Sequence, residues 1–415
     1  MTDILINIII RNMKISILNC EKLSIIQITL KEDNMKAIHV LVLDTVMDRG
    51  GAEAMIMNYM RNINRDVVKF DFLTNRDYRA AYEDEIESLG GRVYHMCPMY
   101  PGKFHQYKKE VKEFLQEHPE YKIIHSNLEE RSYLPLKVAK KMGVLVRIAH
   151  SHNRPLGINL KLLVRYYFRF LLKYYNTHMF ACGEEAGDWL YGKKNRDKVI
   201  IMKNAIDANA YRYNEAVQDD MRKQLGLTNK KVIGHVGRFF PQKNHEFLID
   251  IFDAIHKKEP DTALVLVGGG ETDDVLKNHI KEKVAKLGLT DSVKFLGVRD
   301  DVEKVVQTFD VFLLPSLFEG LPVTMVEAQA AGLPCVISDR VPVECDITGN
   351  VTVVTLDETP EKWADVVINQ TNNFEKKDTY SQIVDAGFDI KAQAVWLEEF
   401  YRKALEENGF KLSEN

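Results

Sequence analysis

The sequence predicts an α/β protein made of two Rossmann-like, doubly wound domains that face each other across a cleft. Three observations carry this. The chain has 415 residues, too many for one ordinary hydrophobic core. Short β-rich apolar runs alternate with amphipathic stretches, which is the signature of βαβ units on a parallel sheet. The alternation also stops at the polar stretch 211–231 and then starts again.

Taken in order, the first 34 residues are rich in Ile, Asn and Lys, and their apolar run ILINIII is seven residues long. That is too short to span a bilayer, and no longer apolar core or small-residue cleavage site follows. The pattern restarts at Met35, so residues 1–34 are expected to be an extension outside the native domain and the location cytoplasmic. An N-terminal domain is expected over 35–210, with strands IHVLVLD (38–44), FDFLT (70–74), RVYHM (92–96), IIHSN (123–127), VRIAHS (146–151), HMFAC (178–182) and VIIMKNA (199–205). Amphipathic stretches at 52–62, 104–117, 132–142 and 158–175 read as its helices.

A second domain is expected over 211–390. Its strands are VIGHVGR (232–238), ALVLVGGG (263–270), VKFLGV (293–298), DVFLLPS (310–316), PCVIS (334–338) and VTVVTL (351–356), with helices from about 244 and over 272–287. A last helical stretch, 392–407, lies within a C-terminal segment (391–415) expected to cross back to the first domain.

Hydrophobic residues make up 45% and charged ones 28%, as in soluble globular proteins. A net charge of −4 argues against a nucleic-acid partner, whose footprint would be basic. The five cysteines (Cys20, Cys97, Cys182, Cys335, Cys345) form no C-x-x-C pair, which disfavours a disulfide framework or a zinc site.

In open parallel sheets, ligands bind beyond the carboxyl ends of the strands, and the unusual residues fall there. GRFFPQKN (Gly237–Asn244) puts Arg238 and Lys243 beside a helix N-terminus, a site suited to a diphosphate, although a solvated loop would read the same way. VGGGE (Val267–Glu271), with Gly269 at its centre, allows close backbone approach or a sharp turn. MDRGGAE (Met47–Glu53) repeats the arrangement at Gly51. RIAHSHNRP (Arg147–Pro155) carries His150 and His152, of which the later lies further out of the sheet. PSLFEGLPVTMVEAQAAGLP (Pro315–Pro334) spaces Glu319 and Glu327 eight residues apart, with Pro322 suited to start a helix and Gly332 to end it. There is neither a G-x-x-x-x-G-K-[ST] loop nor a D-x-D triplet, so neither a P-loop triphosphatase nor a metal–diphosphate chelate is expected.

The order GGAE, strand-end His, GRFFPQKN, VGGGE, VKFLGV and PSLFEGLPVTMVEAQAAGLP resembles the family 4 retaining glycosyltransferases of GT-B fold, over roughly residues 36–405. Among these it looks most like bacterial enzymes of exopolysaccharide and capsule assembly. The resemblance implies transfer of a hexosyl or N-acetylhexosaminyl group from a nucleotide-diphosphate sugar, UDP being favoured, to a lipid-linked glycan. It implies no cofactor beyond the donor and no metal. Glu327 would hold the ribose, and Glu319 the donor sugar. Gly320 and Leu321 would bring backbone N–H groups to the donor, Arg238 and Lys243 would hold the diphosphate, and Leu296 and Val298 would flank the base. Gly269 would also lie against the donor. Gly51 would approach the diphosphate from the other domain, and His152 would sit near the reacting carbon, with His150 as its competitor. The leaving phosphate would take the acceptor's proton, so neither glutamate would act as a glycosidase-type nucleophile.

One further stretch is NLKLLVRYYFRFLLKYY, where Lys161, Arg165, Arg169 and Lys173 recur every four residues among leucines and aromatics. As a helix it would present a basic stripe. That suits peripheral contact with the anionic inner face of the cell membrane, or a helix packed on the sheet with a cationic outer face. Two other classes remain open: a UDP-sugar epimerase or hydrolase of the same architecture, and a non-catalytic subunit that binds a partner.

Overall fold

The computed structural model describes residues 37–152, 161–269 and 274–410. The expected extension 1–34, Gly270 and Glu271 of the glycine turn, and Asn153 to Pro155 of the histidine segment lie outside the described residues.

The N-terminal half runs β1 (Ile38–Asp44), α1 (Gly51–Asn62), β2 (Val68–Thr74), α2 (Glu83–Ser88), β3 (Val93–His95), α3 (Phe104–Glu117), β4 (Ile123–Ser126), α4 (Tyr133–Lys141), β5 (Val146–Ser151), α5 (Lys161–Leu172), β6 (His178–Ala181), α6 (Glu184–Tyr191) and β7 (Val199–Ile201). Its strands pair in parallel in the order β3-β2-β1-β4-β5-β6-β7. Both faces are covered because β1 is apolar on both. Val40 and Val42 pack toward α1, while Leu41 and Leu43 pack toward α3 and α4.

The second half runs α7 (Ala208–Tyr211), α8 (Glu215–Gln224), β8 (Lys231–Val236), α9 (His245–Lys258), β9 (Thr262–Val267), α10 (Asp274–Lys286), β10 (Val293–Gly297), α11 (Val302–Val305), β11 (Val311–Leu314), α12 (Val323–Ala330), β12 (Cys335–Ser338), β13 (Val351–Val354), α13 (Pro360–Asn373), α14 (Tyr380–Asp385) and α15 (Ile390–Glu407). Its parallel sheet has the order β10-β9-β8-β11-β12-β13. The polar stretch between the sheets holds α8, started by the Asn214 side chain accepting from the Val217 N–H at 3.3 Å. Only Met221 of that helix is buried, which is why its sequence reads as an interruption.

The chain crosses between the halves twice. Ile206 bridges in parallel to Asp389: its N–H donates to Phe388 O at 2.9 Å, and its carbonyl accepts from Ile390 N–H at 2.8 Å. From there α15 lies on the first sheet, where Leu397, Tyr401, Ala404 and Leu405 share a core with Val40, Val42 and the apolar face of α1.

Candidate active site

In each sheet the strand order reverses beside the first strand, between β1 and β4 and between β8 and β11. Helices leave in opposite directions at such a point, so the strand ends open into a crevice. A cleft of about 740 Å³ lies between the two sets of strand ends. His152, Cys182 and Gly183 line it from the first half, and Gln242, Glu319, Gly320 and Leu321 from the second.

Lys243 meets Glu319, which lines this cleft. Lys243 Nζ donates to Glu319 Oε1 at 2.7 Å, and both side chains are largely buried. Ser316 Oγ donates to the same oxygen at 2.7 Å, and Gln242 Nε2 to Glu319 Oε2 at 3.0 Å. The two loops that carry them are tied together by Leu317 N–H to Gln242 O at 2.8 Å and by Asn244 Nδ2 to Pro315 O at 3.1 Å. Asn244 takes a left-handed conformation (φ 56°), which turns the chain sharply into α9 and leaves the helix N-terminus without a side-chain cap. A Cβ at Gly268 would lie 2.2 Å from Gly237 O, so the VGG turn passes directly over the loop bearing Arg238.

Of the other residues singled out from the sequence, Gly320 and Leu321 line this cleft, whereas Gly51, Arg238, Gly269, Leu296, Val298 and Glu327 are not among its lining residues. Gly320 has nothing within 4 Å of where a Cβ would be, and the same is true of Gly51, so the protein itself does not require glycine at either. A Cβ at Gly50 would lie 2.2 Å from Glu53 Oε2, the far end of a flexible side chain that can move aside. Arg238 is exposed; burial pushes the pKa of Glu53 at the start of α1 up, and the Arg238 charge opposes this only weakly. Gly269 is buried with φ +136°, a backbone state that excludes most side chains. Leu296 is half-buried on β10 and Val298 is 57% exposed just beyond it. Glu327 sits on α12 away from the cleft lining. Burial raises its pKa to about 7, against a lowering hydrogen bond from Tyr211.

Of the two histidines, His152 reaches the cleft and His150 is fully buried beneath it. His152 is braced on all sides. Its backbone N–H donates to Glu129 Oε1 at 2.7 Å, and its Nε2 lies 3.1 Å from Asn127 Oδ1. Asn127 Nδ2 in turn donates to Asp44 Oδ2 at 3.2 Å. An amide oxygen only accepts, so His152 carries its proton on Nε2 and leaves the Nδ1 lone pair free of that bond. Desolvation lowers its pKa to about 4, so the ring is neutral at physiological pH. Asp44 is pushed up to about 8, first by burial and then by the charge of Glu53.

Asp44, Asn127 and Glu129 are site residues that the sequence reading missed. Asp44 and Asn127 stand at the ends of β1 and β4, so polar residues closing adjacent apolar strands were the available signal. Glu129 holds φ 53°, a strained state for a residue with a side chain, beside the histidine it braces.

The basic stripe on α5 requires a correction. Arg165 makes a two-pronged ion pair with the buried Glu130 (2.8 and 3.0 Å) and lies over Trp189. Arg169 donates to Leu190 O at 3.0 Å and also lies over Trp189. Both guanidinium groups therefore turn toward the protein, because a buried carboxylate, open carbonyls and an indole face satisfy them better than water does. Lys173 stays exposed, and nothing is described of the Lys161 side chain. The outward face is apolar and aromatic: Leu163, Val164, Tyr166, Tyr167, Phe170 and Tyr174.

Residues 217–382 match the family model described as glycosyl transferases group 1. The EpsF protein of Bacillus subtilis (strain 168), whose name calls it a glycosyltransferase, is 37% identical over 342 residues, covering 80% of this chain and 86% of its own. The UDP-Gal:alpha-D-GlcNAc-diphosphoundecaprenol alpha-1,3-galactosyltransferase of Escherichia coli is 34% identical over 145 residues, covering 34% of this chain and 37% of its own. Among solved structures, Anabaena Alr3699/HepE in complex with UDP superposes with a TM-score of 0.73 at 20% identity, covering 88% of this chain and 100% of that one.

Proposed function

This chain belongs to the group 1 glycosyltransferases of GT-B fold, and from that membership we propose that it is a retaining, metal-independent transferase. In this reading it moves a hexosyl or N-acetylhexosaminyl unit from a UDP-sugar to a lipid-linked glycan during exopolysaccharide or capsule assembly. The observation that carries the reading is the Lys243–Glu319 pair beside the cleft, with His152 lining the same cleft from the opposite domain. Two relatives support the finer terms: the Escherichia coli protein is named for UDP-Gal and a GlcNAc-diphosphoundecaprenol acceptor, and the Anabaena neighbour is solved with UDP.

Breaking a sugar–phosphate bond builds negative charge on the leaving diphosphate and positive charge on the ring. Lys243, Arg238 and the uncapped start of α9 supply fixed positive potential for the former. Glu319, released from Lys243 when the diphosphate takes that cation, becomes the acceptor for sugar hydroxyls. Glu327 accepts from the ribose, and neutral His152 stands beside the reacting carbon. A donor that fills the cleft displaces water from it and so limits hydrolysis.

Calorimetric titration with UDP, GDP and ADP in the presence of EDTA tests donor class and metal independence together. Selective UDP binding is expected. Binding only after a divalent cation is restored would refute metal independence, and conversion of UDP-sugar without acceptor would favour an epimerase or hydrolase. The anomeric configuration of the product, read by NMR, tests retention.

A further inference from the structure

A continuous polar chain runs from α15 to the floor beneath His152. Tyr401 OH lies 2.8 Å from His125 Nδ1, and His125 Nε2 lies 2.9 Å from His150 Nδ1. The His150 ring then stacks on the His152 ring, with centroids 4.1 Å apart and planes at 28°. Tyr401, His125 and His150 are fully buried, and His150 Nε2 has no partner among the described residues.

The protons in this chain have one favoured order. Among the described residues the Tyr401 hydroxyl meets a single partner, His125 Nδ1. If Tyr401 donates to it, His125 carries its hydrogen on Nε2 and donates to His150 Nδ1, and His150 carries its own on Nε2. One buried group, His150 Nε2–H, is then unsatisfied. Reversing the order strands two groups, the tyrosine O–H and His150 Nε2, and each buried orphan is costly. Burial keeps every member neutral: it lowers His125 to about 3, lowers His150, and raises Tyr401.

We propose that Tyr401 is a positioning residue for the cleft histidine, acting through His125 and His150 to hold the ring beneath His152 in one tautomer. A neutral imidazole is strongly dipolar, and moving its proton between nitrogens reorients that dipole. A fixed dipole under the His152 ring, together with Asn127 at its Nε2, favours one orientation and one tautomer of the group facing the substrate. The last helix of the chain thereby tunes the active site, and how it seats on the first sheet becomes a determinant of turnover. The proposal rests on the reading that His152 faces the reacting sugar.

The test compares Tyr401→Phe with Tyr59→Phe. Tyr59 lies in the same core, and its hydroxyl donates to Lys203 O at 2.9 Å without touching a histidine. Tyr401→Phe is expected to lower kcat by about tenfold with the donor KM within about twofold, whereas Tyr59→Phe keeps kcat within about twofold. In ¹⁵N-histidine spectra of the native protein, His125 and His150 are expected as Nε2–H tautomers, and Tyr401→Phe is expected to mix that pattern. Equal kcat losses in the two variants, unchanged kcat in Tyr401→Phe, or a native His150 protonated on Nδ1 would each overturn the proposal. Full activity in His152→Ala would instead overturn the reading of the cleft on which it rests.

Discussion

Lys243 and Glu319 neutralise each other beside the cleft, Nζ to Oε1 at 2.7 Å, and the proposed function gives each of them a part of the donor to hold. A donor has to separate them, and an intact nucleotide sugar offers a new partner to both. UDP alone offers one only to Lys243, leaving a largely buried carboxylate with Ser316 and Gln242. Glu319→Gln is therefore expected to bind UDP more tightly than the native protein, by roughly fivefold, on the order of 1 kcal/mol. It is also expected to turn over UDP-sugar more slowly. Calorimetry beside a transfer assay checks both, and weaker UDP binding in Glu319→Gln would contradict the exchange.

Lys243→Ala removes the one cation among the described residues that touches Glu319. Turnover is expected to fall by about 100-fold, the scale seen when a preorganised charge is taken from a developing anion. The melting temperature is expected to fall only modestly, by the cost of unpairing Glu319, about 1 kcal/mol, because Ser316 and Gln242 still bond the carboxylate. Thermal unfolding run beside the kinetics separates a catalytic role from a structural one.

With Glu327 on the ribose, as proposed, donor binding is expected to depend on pH. Burial raises its pKa to about 7, and only the ionised form accepts from both ribose hydroxyls. UDP affinity is expected to fall by about tenfold between about pH 8 and about pH 6, and Glu327→Gln to bind weakly with a flat profile. Without ligand the sign for stability is opposite. The folded protein holds this proton more tightly than the unfolded chain, so the contribution is full below the ordinary value of 4.5 and lost as pH rises through about 7. Calorimetric titrations across that range read the first effect, and melting temperatures the second.

The outer face of α5 leads to a membrane prediction different from the one the basic stripe implies. If this helix meets a lipid surface, Leu163, Tyr167 and Phe170 do so, with Lys173 as the exposed cation. Replacing those three with Ser is expected to reduce co-sedimentation with vesicles containing anionic lipid while leaving the melting temperature in place. Arg165→Glu is expected to lower the melting temperature instead, because it strands the buried Glu130 at a cost of about 3 kcal/mol. Unchanged sedimentation in the triple variant would remove α5 as the contact.

Much of this molecule follows from local pattern. The expected strands of both sheets occur, from Ile38–Asp44 to Val351–Val354, because a strand buried on both faces must be apolar throughout and that run is visible without neighbours. Helix ends are legible because Pro and Gly act on the local backbone: Pro322 precedes α12, and Gly332, with φ +70°, follows it. Short helices such as α2 and α6 are not, since their few buried residues make no period. The sequence alone also determined which residue types close the strands, and hence where a cleft had to lie. Only the tertiary structure decided how those residues pair. Arg165 and Arg169 share a stripe by spacing, yet they turn inward because Glu130, Trp189 and Leu190 come from distant segments. Lys243 and Glu319 are 76 residues apart, and Tyr401 and His125 are 276 apart. Contacts of that range depend on where whole elements pack, and spacing along the chain carries no record of it.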